Sequence, residues 1–166
     1  MATSVVSVVP APAAALRGPD LQGFPMTDAV HLELDLAHSP ARVWRALIDP
    51  VLLSQWLLPI AELEASPGSR FKFQAPPQPG WDGAVDCQML EVENERRVRW
   101  SWVVGDLDTV VTFTLTPTAT GTRLSIVHDG FQPHQKKNLG GARYGWNMMS
   151  ERLVEVLNAR PQSDSL

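Results

Sequence analysis

Side chains whose chemistry could support catalysis are few in this sequence, and His128 is the most suggestive of them. An imidazole at the inward end of an apolar strand could polarise a ligand or act as a general base, since its unperturbed pKa is ~6.5. The alternative interpretation is a strand-end histidine that hydrogen-bonds a neighbouring group. The sequence favours this alternative because it shows no second catalytic group, so we assign no catalytic residue.

Cys87 is the sole cysteine and the other candidate for nucleophilic chemistry. A reactive thiol needs a neighbouring base and an electropositive setting. The sequence shows neither, so we predict that Cys87 is a small buried core residue. Asp106 and Asp108 resemble a carboxylate pair, but their position beside Gly105 predicts a hydrated hairpin turn.

The sequence does not predict a metal or cofactor site. Its four histidines show no ligand spacing of the His-x-x-x-His kind, and one cysteine cannot form a zinc site alone. No glycine-rich phosphate loop follows a strand and opens a helix. We therefore expect neither a metal nor a cofactor.

The composition bounds the class of protein. A chain of 166 residues favours one domain, and 44% apolar with 19% charged residues is typical of a globular protein. The net charge of −4 argues against nucleic acid as a partner, because phosphate binding needs a concentrated basic surface. No apolar run reaches the ~18 residues of a membrane span. The single cysteine fits a reducing compartment, so we expect a cytoplasmic location.

Three segments follow from the pattern along the chain. Residues 1–27 are rich in Ala, Val and Pro and lack the positive start of a secretory signal, so they predict a flexible N-terminal tail. Residues 28–160 predict the folded domain, and residues 161–166 a C-terminal tail.

The folded segment is predicted to begin with one strand and two short helices. Residues 30–36 alternate apolar and polar side chains, as in a strand with one exposed face. Ser39-Pro40 and Asp49-Pro50 are typical helix starts, in which a capping side chain is followed by proline. Residues 61–65 and 70–74 predict a hairpin, and longer strands are predicted near 83–93, 97–104, 109–116 and 122–128.

A long helix is predicted over residues 134–160, because apolar residues recur there three or four positions apart. Gly140 and Gly141 are unfavourable in a helix interior, so we expect the helix to begin near Ala142, with the glycines in a preceding loop. The alternative is that they form a flexible lid at the mouth of a cavity.

The order of these elements and several short motifs resemble a known superfamily. The motifs are Ser39 to Leu47, Asp49 to Trp56, Glu91-Val92 before Arg97-Val98, His128-Asp129-Gly130-Phe131, and Gly145-Trp146 with Leu153. Together they resemble the START-like (SRPBCC) superfamily, and within it the group named for the C-terminal domain of the activator of heat-shock protein 90 ATPase. The resemblance covers about residues 30–158. A glycine often found in the family's central strand is replaced by Cys87 in this chain.

The resemblance implies an α+β helix-grip fold with an internal cavity. A curved antiparallel sheet of about six or seven strands would wrap around the long C-terminal helix, with two short helices after the first strand. Alternating positions support an apolar wall, since Trp100 and Trp102 share one face of a strand. The same side chains could instead fill a solid core, and the sequence leaves both arrangements open.

We therefore expect noncatalytic binding of a hydrophobic or amphipathic small molecule, such as a lipid, in that cavity. His128 would orient a polar group of the ligand. The side chains expected to line the site are Trp56, Phe73, Val85, Cys87, Trp100, Trp102, Phe113, Ile126, His128, Phe131, Trp146 and Met149.

Two other functions stay open. A cyclase, dehydratase or hydrolase-like enzyme, as occurs elsewhere in the superfamily, would use the same cavity with at least two convergent polar groups. A protein-interaction module that binds the chaperone ranks last, because we expect no room for the additional N-terminal chaperone-binding domain of full-length activators. The sequence also leaves homodimerisation open.

Overall fold

Seven strands form one antiparallel sheet, and three α-helices accompany it in the part of the chain that the structure describes. The computed structural model describes residues 5–8 and 28–159. The elements are β1 (Val5–Val8), β2 (Asp28–Leu36), α1 (Pro40–Ile48), α2 (Pro50–Trp56), β3 (Arg70–Gln74), β4 (Ala84–Glu93), β5 (Arg97–Val104), β6 (Leu107–Thr118), β7 (Gly121–Phe131), a 3₁₀ turn (Pro133–Gln135) and α3 (Lys136–Ala159).

The strand order across the sheet is β1-β2-β7-β6-β5-β4-β3. Strands β4 to β7 follow one another through short turns, and β7 pairs on its other side with β2. Every neighbouring pair in the sheet is antiparallel. Irregularities in register at Met89/Glu91 and at Asp28/Ala29 help the sheet to curve. Helix α3 packs on β2 and β7 and against α1 and α2. This arrangement confirms the predicted α+β helix-grip fold.

Local capping chemistry accounts for the two short helices. The Ser39 side chain accepts a hydrogen bond from the backbone nitrogen of Arg42 at 3.2 Å, and Pro40 occupies the first helical position of α1. The Asp49 carboxylate does the same for the backbone nitrogen of Val51 at 2.9 Å, at the start of α2. Both helix starts are therefore confirmed as the sequence predicted them.

The predicted hairpin between residues 61–65 and 70–74 is wrong. Strand β3 pairs with β4, and only Ile60 bridges to Phe73 in the segment before it. Backbone hydrogen bonds of 2.7 and 2.8 Å join Gly68 and Ser69 to Met89 of β4. Strand β4 thus provides the ladder partner for residues 68–74, and residues 61–65 are left outside the sheet.

The strand β1 was not predicted from the sequence. It pairs with β2, with Val5 opposite Asp35. The rest of residues 1–27, and residues 160–166, lie outside the described part of the chain. The N-terminal and C-terminal tails therefore stay predictions.

The expectation that the long helix begins near Ala142 is wrong. Helix α3 begins at Lys136, directly after the 3₁₀ turn, and contains both Gly140 and Gly141. The buried Gln135 side chain accepts a hydrogen bond from the backbone nitrogen of Gln132 at 2.8 Å, which fixes the turn from which the helix continues. This anchor and the burial of Leu139 outweigh the ~0.5–1 kcal/mol that each glycine costs.

Inward and outward positions alternate along the central strands as predicted. Buried side chains on β5 are Val98, Trp100 and Trp102, those on β6 include Val111, Phe113 and Leu115, and those on β7 include Leu124, Ile126 and His128. These faces form the core together with the apolar side of α3.

Candidate ligand-binding site

A cleft of about 590 Å³ lies between one flank of α3 and the sheet. Its volume is within the ~300–1,000 Å³ typical of small-molecule sites. Strands β4, β5 and β7 each contribute apolar or aromatic side chains to its walls, and α3 forms the opposite side. Six of the side chains predicted to line a site border it: Val85, Trp102, His128, Phe131, Trp146 and Met149.

The other predicted site residues lie deeper in the core, away from the cleft. The ring centroids of Trp100 and Phe113 are 5.0 Å apart, and Trp56 meets Phe113 edge-on at 6.3 Å. These contact distances are those of aromatic side chains that pack directly against one another. The side chains in this group are Trp56, Phe73, Cys87, Trp100, Phe113 and Ile126, and each is buried.

Small residues of α3 form one side of the cleft, and the predicted set of lining residues did not include them. Gly145 follows Gly141 by four positions and Ala142 by three, and these spacings place the three residues on one flank of the helix. A Cβ atom built on Gly141 would meet no heavy atom within 4 Å, and one built on Gly145 would meet Met149 Cε at 3.8 Å. The missing side chains leave open space. The repeated small residues were the available signal, but Gly141 was expected to lie in a loop, with a lid at the mouth of a cavity as the alternative.

The rim of the cleft carries exposed apolar side chains. Tyr144 is 70% exposed and Met148 is 41% exposed, and both border the cleft from α3. Trp81 borders it from the loop before β4, and Leu58 borders it from the segment after α2. Apolar surface beside a concave site is typical of a place where a ligand or partner binds.

His128 lies at the floor of the cleft and hydrogen-bonds through both ring nitrogens. Its Nδ1 accepts from the indole Nε1 of Trp146 at 2.9 Å, because an indole nitrogen only donates. Nε2 therefore carries the ring proton and donates to Thr109 Oγ1 at 2.7 Å. The Thr109 hydroxyl in turn donates to the carbonyl oxygen of Trp102 at 2.7 Å. The tautomer follows from these partners.

Burial lowers the pKa of His128 from 6.5 to about 3. The imidazole is 1% exposed and is neutral near pH 7. Both of its nitrogens are engaged within the protein, so it cannot accept a proton or orient a ligand without breaking a buried hydrogen bond. This is the arrangement of a histidine that joins structural elements.

The Cys87 thiol is buried and is not poised for nucleophilic chemistry. Burial, with a smaller contribution from the nearby charge of Asp86, raises the pKa of Cys87 well above its ordinary value. The thiol contacts the carbonyl oxygen of Val85 at 3.8 Å. Asp106 lies in the β5–β6 turn, and Asp108 is exposed on β6.

Two cations are the ionised side chains that border the cleft. Lys137 lies in the first turn of α3, beside the amide of Asn138, and Arg152 lies 15 residues later. With a rise of 1.5 Å per residue, the two positions are separated by about 22 Å along the helix. Both side chains are exposed, and neither forms an ion pair with any residue in 28–159.

Residues 5–8 and 28–159 contain no group of three or more His, Cys, Asp or Glu side chains placed to hold a metal ion. Within the same residues, no helix combines the length and apolar character needed to cross a membrane.

The family whose sequence model matches residues 37–158 is described as "Activator of Hsp90 ATPase homolog 1-like protein". The chain belongs to this family. Its fold is that of the START-like (SRPBCC) superfamily, as the sequence motifs indicated. Because one fold hosts many functions, membership alone does not assign an activity.

Solved structures agree with this assignment. The protein MLL2253 of Mesorhizobium loti is 37% identical, with a TM-score of 0.74, and the match covers 80% of this chain and 98% of that one. A Rhodobacter sphaeroides protein is 21% identical with a TM-score of 0.70, covering 94% and 99%. CalU16 of Micromonospora echinospora is 21% identical with a TM-score of 0.66, covering 93% and 84%, and these last two show a shared fold alone. Comparison with curated proteins gives no match.

Proposed function

We propose that the protein binds an apolar or amphipathic small molecule, such as a lipid, in the cleft beside α3 without transforming it chemically. The observation that carries this proposal is the shape and lining of the cleft. Trp102, Trp146 and Met149 supply apolar surface, and the absence of a side chain at Gly141 leaves open space beside α3.

The gain in free energy would come from apolar burial. Each Å² of apolar surface removed from water contributes ~25 cal/mol, and flat aromatic rings supply large contact areas. The exposed rim residues Tyr144 and Met148 would also lose water contact when a ligand covers them. Their exposure is unfavourable in the free protein and is relieved by a bound apolar molecule.

A catalytic use of the cleft has less support. General acid–base catalysis needs a group that can gain or lose a proton beside the ligand. His128 is neutral and has both nitrogens engaged, and the residues bordering the cleft include no carboxylate and no thiol. The other ionisable side chains of the lining, Lys137, Tyr144 and Arg152, are exposed on α3. Binding without turnover fits this lining better than a cyclase or hydrolase reaction does.

Dye displacement with a matched pair of variants tests the proposal. Gly141→Leu places a side chain in the cleft, whereas Gly140→Leu places the same side chain at an exposed position of the same helix that does not border the cleft. Both glycines have no heavy atom within 4 Å of a built Cβ, so both variants should fold.

We expect wild type and Gly140→Leu to bind an environment-sensitive apolar dye equally, and Gly141→Leu to bind it at least about tenfold more weakly, by loss of volume and of apolar contact. Native mass spectrometry of freshly purified protein would identify a retained compound. Equal dye binding by all three proteins would contradict the proposal.

Chaperone binding, homodimerisation and a cytoplasmic location stay predictions. The family description names an ATPase activator, so purified Hsp90 is the partner with which to test the first of them.

A further inference from the structure

We infer that the ligand of this cleft is an amphipathic anion, whose charged group lies at Lys137 while its apolar body contacts Trp102 and Trp146. The inference rests on the proposed function and adds the polar chemistry and the orientation of the ligand. The observation that supports this inference is the distribution of polar groups along the cleft.

The buried histidine of the cleft is a poor partner for a polar group of the ligand. The two nitrogens of His128 already bond Trp146 and Thr109. A ligand that offered its polar end to His128 would bury that end without a free partner on this ring, which is unfavourable. The exposed rim is therefore the more favourable place for the polar end.

The rim offers cations. Lys137 and Arg152 are the ionised side chains on the lining, although the whole protein has a net charge of −4. Neither has an ion-pair partner among residues 28–159. An anionic group is therefore the charged ligand chemistry that matches this lining.

Lys137 is the better placed of the two cations. Asn138 borders the cleft beside it and adds an amide donor, whereas Arg152 shares its stretch of α3 with Glu151 and Glu155. Asp106 lies in the turn near this end of the helix, where its backbone carbonyl faces the Gln135 side chain, but its carboxylate forms no ion pair with Lys137.

Helix stability does not account for a lysine at this position. Lys137 lies in the first turn of α3, where a cation opposes the helix dipole. Its removal should therefore leave folding intact or slightly improve it. Loss of ligand binding by a Lys137 variant could then not be ascribed to unfolding.

The test compares ligands that share one apolar chain and differ in charge: decanoate, decanol and decyltrimethylammonium, at neutral pH. Each is titrated by calorimetry or dye displacement into wild type and into Lys137→Met, which keeps an apolar stem. Lys136→Met is the matched control, because it removes the same charge from the neighbouring residue, which does not border the cleft. Arg152→Met tests the other end.

We expect wild type to prefer decanoate over decanol by about tenfold, as for one charge-assisted contact, and to bind the cationic amphiphile most weakly. Added salt should reduce the preference. Lys137→Met should bind decanoate and decanol equally, while Lys136→Met and Arg152→Met keep the preference.

Equal binding of decanoate and decanol by wild type, or loss of the preference in Arg152→Met alone, would overturn the inference and leave the proposed function standing. If none of the three amphiphiles competes with the apolar dye, the proposed function fails together with the inference.

Discussion

The indole nitrogen of Trp146 donates a hydrogen bond to Nδ1 of His128 across 2.9 Å, and this bond joins helix α3 to strand β7 at the floor of the cleft. Both side chains are 1% exposed. A buried polar contact between two elements is costly to break, because a partner left alone has no water with which to bond. The bond therefore helps to hold α3 against β7 beside the cleft, together with the packing of Trp146 on Trp102 and Phe113.

Breaking this bond should destabilise the protein. His128→Phe removes the acceptor and leaves the Trp146 nitrogen without a partner, so we expect a loss of about 1–3 kcal/mol in the free energy of unfolding, measured with urea. His128→Gln should lose less, because its amide oxygen can accept the same bond. A double-mutant cycle with Trp146→Phe should give a coupling energy of about 1 kcal/mol, and a coupling near zero would contradict the role of the bond.

The same histidine predicts a pH dependence of stability. Burial depresses the pKa of folded His128 from 6.5 to about 3, so between these values the unfolded chain binds a proton that the folded chain does not. The contribution of neutral, buried His128 to the free energy of unfolding is therefore fully present above about pH 6.5. It is lost progressively as the pH falls toward about 3, with a slope of up to ~1.4 kcal/mol per pH unit.

His128→Gln isolates this contribution, because glutamine does not titrate. We expect urea unfolding of wild type and variant to differ most near pH 7, and the difference to shrink as the pH falls through this window. The neighbouring Asp129, whose pKa burial raises, is present in both proteins. A difference that stays constant from neutral to acidic pH would show that folded His128 protonates normally.

The fold was predictable because its signals are local, whereas the cleft depends on distances between elements. Ser39 and Asp49 indicate helix starts because their side chains accept hydrogen bonds from backbone nitrogens no more than three residues away. The alternation of Trp100 and Trp102 fixes their face, but the 5.0 Å contact between Trp100 and Phe113 depends on how tightly the sheet curves. The alternation in the sequence predicts that these rings point inward. It does not predict whether the rings pack against one another or line a cavity.

The start of α3 was also mispredicted because it depends on contacts between elements. Local propensity placed Gly140 and Gly141 in a loop, because glycine destabilises a helix interior. The anchor that carries the helix through them is tertiary, since it involves the buried Gln135 side chain and the burial of Leu139 in the core. The predicted site residues omitted the glycines of this flank for this reason, although a lid at the mouth of a cavity was the alternative for them.

Thiol chemistry offers a check on the burial of Cys87. Because the thiol is buried and its pKa is raised, we expect it to resist an aromatic disulfide reagent in the native protein and to react promptly in concentrated urea. Absorbance of the released thiolate measures both rates. Rapid labelling of native protein would mean that the core around Cys87 opens readily.

The last prediction concerns Gly140 and Gly141 of α3, for which a flexible lid was the alternative hypothesis from the sequence. Gly140→Ala and Gly141→Ala should each raise the free energy of unfolding by about 0.5–1 kcal/mol, because both residues are helical, both are exposed, and neither new Cβ meets an atom within 4 Å.

Stopped-flow binding of the apolar dye separates a rigid flank from a mobile lid. If α3 stays helical while a ligand enters, the Gly140→Ala variant should bind at the wild-type rate, since its methyl group lies away from the cleft. If this turn must unwind to admit the ligand, the same substitution slows association, because the helical state that it stabilises is the closed one. We expect the unchanged rate, because the cleft is already open beside Gly141 and needs no unwinding of the helix.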